Sequence, residues 1–146
     1  MKLWSNDFET GRPIPSRFTC DGQNVSPHLA WSEVPPEARS LALICHDPDA
    51  PVGDWIHWLV HDIPPETTGI PSGGPLPAGA REVVNDFGYG RYGGPCPPSG
   101  THRYFFILFA LKERGLSGLT KANFRDRVSA LSLAKSEFIG TYSRQR

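Results

Sequence analysis

Ser40-Leu41-Ala42-Leu43-Ile44-Cys45-His46, running into Asp47-Pro48-Asp49-Ala50-Pro51, is the stretch that decides the fold. Seven residues with almost no polar interruption read as a strand buried on both faces, because a half-exposed strand would alternate apolar with polar positions. The stop is abrupt: two prolines and two aspartates within five residues cannot continue a ladder. Two further segments have the same character. Trp55 to Ile63 is a central strand ended by Pro64-Pro65, and Arg103 to Leu111 is a third. Three apolar strands closed by Pro/Gly turns predict an all-β sandwich.

The flanks fit that frame. Leu3 to Phe8 and Arg17 to Cys20 read as short strands around the turn Thr10-Gly11-Arg12-Pro13, and Leu29-Ala30-Trp31 as another, stopped by Pro35-Pro36. Residues 66–101 hold most of the glycine and proline and read as a long structured loop, which in a compact domain is usually functional. Beyond Gly118 the apolar period lengthens. Thr120 is the expected N-cap, and Phe124, Val128 and Leu131 fall on one helical face. Phe138 to Tyr142 reads as a last short strand. The chain of 146 residues suits one domain, mainly β, with one or two peripheral helices near its C-terminal end.

Lys+Arg and Asp+Glu both number 15, so no global charge draws the chain to nucleic acid or to an anionic membrane. No run approaches the roughly 20 apolar residues of a membrane-spanning helix. Met1-Lys2-Leu3-Trp4-Ser5-Asn6-Asp7 puts polarity where an apolar leader core would lie. The expectation is a soluble cytoplasmic protein whose three cysteines, Cys20, Cys45 and Cys96, are free thiols, Cys45 as a small core residue.

Several motifs fail on context. Gly88-Tyr89-Gly90-Arg91-Tyr92-Gly93 spells a dinucleotide fingerprint, but it runs into Gly94-Pro95-Cys96-Pro97-Pro98, where no helix can start. Asp86-Phe87-Gly88 echoes kinases by chance. His57 and His61 have a metal-like spacing, yet four strand residues span about 13 Å, too far to share one ion. No G-x-S-x-G nucleophile elbow occurs. What remains is a convergence of strand ends. Asp47 stands where the first central strand stops, His57 lies inside the second, and His102 and Tyr104 share one face at the entrance of the third. Two imidazoles, a phenol and nearby backbone N–H groups offer donors to a small oxyanion.

Asp47-Pro48-Asp49-Ala50-Pro51, Trp55-Ile56-His57-Trp58-Leu59-Val60, and Gly94-Pro95-Cys96-Pro97-Pro98 leading to His102-Arg103-Tyr104 together resemble the ordered signatures of the phosphatidylethanolamine-binding protein family. The bacterial and archaeal Raf-kinase-inhibitor-like branch is the nearer match. Cys20-Asp21-Gly22-Gln23-Asn24-Val25-Ser26-Pro27 and Phe138-Ile139-Gly140-Thr141-Tyr142 extend the similarity over nearly the whole chain. The resemblance implies a β-sandwich with a pocket for phosphate, acetate or a phosphorylated head group; no cofactor or metal is expected. It implies that Asp47, Asp49, His57, His102 and Tyr104 line or support the pocket, that Pro51, Trp55, Gly94 and Pro95 shape its wall, and that the Ala50–Pro51 bond is cis.

The expected function is therefore binding of a small anion or phosphorylated ligand, with a regulatory role toward a kinase or protease partner. Two other readings stand beside it: a hydrolase or isomerase using Asp47 and His57 as an acid/base pair, and a dimeric structural or stress protein with a vestigial pocket.

Overall fold

The computed structural model describes residues 1–144. Among these residues eight strands occur in chain order: β1 (Lys2–Trp4), β2 (Leu29–Ser32), β3 (Ser40–Asp47), β4 (Trp55–Ile63), β5 (Gly69–Ile70), β6 (Arg81–Glu82), β7 (His102–Leu111) and β8 (Ser132–Tyr142), with the helix α1 (Phe124–Ala130) between the last two. They form two antiparallel sheets, β1-β2-β5 and β6-β4-β3-β7-β8.

β3 lies at the centre of the larger sheet, and all eight of its residues are buried. Alternation divides its side chains between two cores. Leu41, Leu43 and Cys45 join Leu3, Trp31, Phe106 and Phe138 in the core beneath the smaller sheet. Ala42 and Ile44 point the other way, with Ile107 and Phe109, beneath Phe124 and Val128 of α1. A strand covered on both faces has no solvated side, which is why its sequence lacks polar interruptions.

β4 carries two irregularities against β3. Cys45 faces Trp58 while His46 faces Ile56, so His57 is an extra residue in the ladder; a second shift lies between the pairs Leu43–Val60 and Leu41–Ile63, across His61 and Asp62. Asp62 adopts φ 56° there. Such bulges re-aim side chains that a regular strand would send to a core.

Several expectations need correction. Arg17 to Cys20 is not a strand; Ser16–Phe18 forms a 3₁₀ turn, closed by the Thr19 N–H donating to the Ser16 carbonyl at 3.1 Å. β1 ends at Trp4 rather than Phe8. Asn123, not Thr120, precedes α1, although the two are joined reciprocally: the Thr120 N–H donates to Asn123 Oδ1 at 2.8 Å and the Asn123 N–H to Thr120 Oγ1 at 3.3 Å. β8 begins six residues before Phe138, because its first half draws on pairing with β7 and exposes Leu133, Lys135 and Glu137.

Cys20 and Cys96 are joined by a disulfide with Cα atoms 5.4 Å apart, so two of the three expected thiols are not free; Cys45 is buried and free. Folding brings residues 76 apart in sequence into contact, which spacing could not reveal. The cis bond among the described residues is Gly74–Pro75, not Ala50–Pro51. The turn at Pro51 closes instead by the Gly53 N–H donating to the Ala50 carbonyl at 3.0 Å, with Gly53 at φ 103°.

β8 is held against the N-terminal segment at Gly140, where a Cβ would lie 2.4 Å from Ile14 Cγ1 and 2.7 Å from Phe8 Cε2. Ile14 cannot easily withdraw, since its N–H donates to the Thr141 carbonyl at 2.7 Å. Gly140→Ala should therefore destabilise the protein by about 1–3 kcal/mol through overpacking. A lower urea midpoint with an unchanged slope would show it, and an unshifted midpoint would contradict this account.

Candidate functional site

The first central strand delivers Asp47 at its last position, where the chain must turn. The Asp47 carboxylate organises that turn by accepting the Asp49 N–H on Oδ1 at 2.7 Å, an Asx-type contact. Its Oδ2 accepts from His102 Nδ1 at 2.7 Å, and both residues are buried. A carboxylate can only accept, so the His102 proton is on Nδ1 and the ring is fixed in orientation.

His57 is positioned by its bulge. The backbone groups that the bulge takes from the ladder are satisfied by residues 85–93: the His57 carbonyl accepts from the Gly93 N–H at 3.1 Å and Asn85 Nδ2 at 2.9 Å, and the Ile56 N–H donates to Asp86 Oδ2 at 2.7 Å. His57 Nδ1 donates to the Gly93 carbonyl at 2.6 Å. Burial holds this imidazole below its usual range, against the Gly93 hydrogen bond and the Asp47 charge, which favour the protonated ring. Neutral His57 with Nδ1–H leaves Nε2 as an acceptor.

Tyr104 rises from β7 between the two imidazoles, edge-on to His57 with ring centroids 5.2 Å apart and near-parallel to His102 at 6.5 Å. Its side chain is fully buried, and its hydroxyl has no hydrogen-bond partner among the described residues. Burial, with the Asp47 charge adding to it, pushes the phenol up, so the group is a proton donor throughout the physiological range.

Asp47, His57, His102 and Tyr104 line one cavity of about 220 Å³, together with Ala50, Pro51, Val52, Trp55, Phe87, Cys96, Pro97 and Pro98. That is below the roughly 300–1,000 Å³ of pockets for drug-sized ligands, so an ion or small head group is the matching size. Six of the nine residues expected at the site from sequence line it: Asp47, Pro51, Trp55, His57, His102 and Tyr104. The other three support it from outside.

Asp49 accepts from the Arg103 N–H and Nε, both at 2.9 Å, and from the second guanidinium nitrogen at 2.8 Å. The side-chain bond from Arg103 lowers the Asp49 carboxyl to about 2, so this pair joins the Asp47 turn to β7. Gly94 donates its N–H to Asn24 Oδ1 at 2.8 Å, and a Cβ there would lie 2.3 Å from the Phe18 carbonyl. The Pro95 carbonyl accepts from the Cys20 N–H at 3.1 Å.

Phe87 was hidden within the kinase-like Asp86-Phe87-Gly88, yet its ring meets Trp55 and His57 edge-on at 5.6 and 5.1 Å. The Asx signal at Asn85-Asp86 marks the turn that carries it: Asn85 Oδ1 accepts the Phe87 N–H at 2.9 Å. His61 does not approach this cavity; its Nδ1 pairs with Asp62 Oδ2 at 2.5 Å. Among the described residues, no group of three or more His, Cys, Asp or Glu is arranged to hold a metal ion, and no helix is long and apolar enough to cross a membrane.

The fold and sequence have relatives. A UPF0098 protein of Methanothermobacter thermautotrophicus is 47% identical over 99% of both chains. YbhB of Escherichia coli is 43% identical over 76% of this chain and 78% of its own. A crystal structure of a Chlamydia trachomatis protein described as a putative phosphatidylethanolamine-binding protein homolog superposes with a TM-score of 0.91 at 37% identity, covering 99% and 97% of the two chains. YbcL of Escherichia coli, described as a member of the mammalian family, gives 0.92 at 35% identity, covering 99% and 98%. The family model for phosphatidylethanolamine-binding proteins matches residues 4–143, and the chain belongs to that family.

Proposed function

We propose that the protein binds a small oxyanion, free or as the phosphorylated end of a larger molecule, in the cavity between His57, His102 and Tyr104. The observation that carries this reading is the buried Tyr104 hydroxyl, which has no partner among the described residues, at the cavity wall. Leaving such a group unsatisfied costs about 1–3 kcal/mol, so the structure favours a ligand that brings an acceptor. The buried Asp47, His57, His102 and Tyr104 share the cavity lining with Val52, which is 79% exposed, and this suits a charged end whose remainder lies outside. Regulation of a kinase or protease through a phosphorylated segment is the regulatory form of the same reading.

The charges impose a condition. Asp47 is buried beside the cavity, Arg103 is engaged by Asp49, and among the described residues no guanidinium lines the cavity to offset an entering anion. His57 is neutral at pH 7 with its Nε2 lone pair available. An oxyanion is held there only if a proton enters with it, on the imidazole or on the ligand. The resulting charge-assisted bonds are worth roughly 1.5–3 kcal/mol each. After desolvation, this supports affinities from micromolar to millimolar.

A second reading rests on the Asp47–His102 hydrogen bond, which is the geometry of a base held by its orienting carboxylate. It replaces the Asp47/His57 pairing expected from sequence, since His57 is bonded to Gly93 instead. Cys96 is in a disulfide and Tyr104 stays protonated, so neither supplies a nucleophile. Turnover of a phosphoester that is lost in His102→Ala and kept in His57→Ala would favour this enzyme.

Two outcomes test the binding reading. In calorimetric titrations with inorganic phosphate at pH 6, Tyr104→Phe should weaken binding by about tenfold or more, the loss of one buried hydrogen bond; unchanged affinity would remove the hydroxyl from the site. The pH dependence has a defined sign. His57 is low in the free protein and rises when the anion is bound, so protons are taken up and affinity falls as pH increases, by up to about tenfold per unit for one proton. Sulfate, which does not titrate in this range, isolates the protein's contribution between pH 5.5 and 8.5, and a flat profile would contradict the account.

A further inference from the structure

We infer that the protein carries a second binding site, for a small carboxylic acid with an apolar body, in a cleft on the α1 side of the larger sheet. The cleft holds about 530 Å³ and runs between the segment that follows β6 and the loop between β7 and α1. Its volume falls within the range of small-molecule pockets, roughly 300–1,000 Å³, where the anion cavity does not. The two share no lining residue, so this site stands apart from the binding reading above.

The second irregularity of β4 sets the polar end of the cleft. Asp62 accepts the N–H groups of Gly115 and Leu116 and also pairs with His61 Nδ1. A carboxylate can only accept, so His61 Nδ1 carries a proton and the ring is fixed in orientation. His61 is 5% exposed and lines the cleft. Its Nε2 makes no hydrogen bond among the described residues, yet it is not sealed from open space as the Tyr104 hydroxyl is. Arg81 stands directly across the ladder from His61, and opposite residues of an antiparallel pair share a face. Arg81 is exposed, and its guanidinium has no ion pair or hydrogen bond among the described residues. The other charges along the cleft are engaged: Lys121 pairs with Asp86 at 3.0 Å, and Glu82 accepts from Trp58 Nε1 at 2.8 Å.

The apolar part of the cleft is held in place on both sides. Val83, Leu116 and Leu119 line it from the core beneath α1, and Val84 lines it while 53% exposed. The Val83 N–H donates to the Leu59 carbonyl at 3.0 Å, Asn123 Nδ2 to the Gly118 carbonyl at 3.0 Å, and Arg127 Nη1 to the Ser117 carbonyl at 2.5 Å. Walls formed before the ligand arrives spare the ordering cost of binding. The polar pair then selects the ligand. A guanidinium matches the two oxygens of a planar carboxylate. His61 Nε2 beside it accepts the acid proton or, once protonated, donates to the carboxylate, and one proton serves both descriptions. A dianion would meet a single unpaired cation with the Asp62 and Glu82 carboxylates close by, so a monoanion is the better match. Valine and leucine side chains leave an aromatic or branched hydrocarbon as the body that fills the remainder.

The test is a titration with benzoate followed by methyl and imidazole NMR, with benzyl alcohol as an uncharged ligand of similar shape. Benzoate should move the Val84 and Leu116 methyl resonances and His61 Nε2 saturably, with a Kd on the order of 1 mM. Arg81→Gln alters an exposed side chain and should weaken benzoate by about tenfold or more, the loss of one charge-assisted contact. Val84→Asp, which sets a carboxylate on the exposed wall, should also weaken it. Benzyl alcohol should bind the unaltered protein at least about tenfold more weakly than benzoate does. Benzoate shifts confined to Trp55, His57 and Tyr104, equal affinities for the acid and the alcohol, or benzoate affinity unchanged by Arg81→Gln would each overturn the inference.

Discussion

The register of β3 between β4 and β7 is the constraint on which the site depends. With both faces of β3 buried, a slip of one residue would exchange its two side-chain sets between cores of different shape. That register places His46 opposite Phe105 and brings Asp47 to the beginning of β7, where His102 reaches it. It also creates the mismatch with β4 that leaves His57 outside the ladder. The polar cluster is thus a consequence of hydrophobic packing one layer away.

What the fold brings together is then sorted by hydrogen-bond capacity. Gly93 takes the His57 proton, Asp47 takes the His102 proton, and Asp49 takes the Arg103 guanidinium. Each of these bonds fixes a side chain and occupies a polar group that would otherwise be open. Among the described residues, Tyr104 alone has its polar end buried and unanswered. On the proposed reading, preorganised acceptors around one donor would let proton and anion enter together, a coupling that comes from tautomers rather than from a fixed positive charge.

The three central strands and four cavity residues, Asp47, His57, His102 and Tyr104, were legible in the sequence because each depends on local pattern: an apolar run, a proline stop, a period of two. Their pairing was not. The sequence leaves open which histidine Asp47 orients, naming His57 only in the acid/base alternative; the contact is with His102, since only the register decides which histidine lies within reach. Phe87 and the Cys20–Cys96 bond were missed for a related reason: loops carry no periodicity, and their contacts are set by what the strands leave unsatisfied. The first half of β8 escaped because its exposed Lys135 and Glu137 give no alternation of apolar residues; its order comes from β7. Gly94 and Pro95 stand one layer behind the cavity, a distinction between lining and buttressing that spacing does not encode.

The most direct test of proton-coupled binding is the nitrogen spectrum of the two ring systems. Long-range ¹H–¹⁵N correlation at pH 7 should show free His57 as the neutral Nδ1–H tautomer, with its Nε2 resonance moving to the protonated position as sulfate, which cannot carry the proton itself, saturates the site. A free ring already protonated on Nε2, or a His57 spectrum unmoved at saturation, would contradict the account.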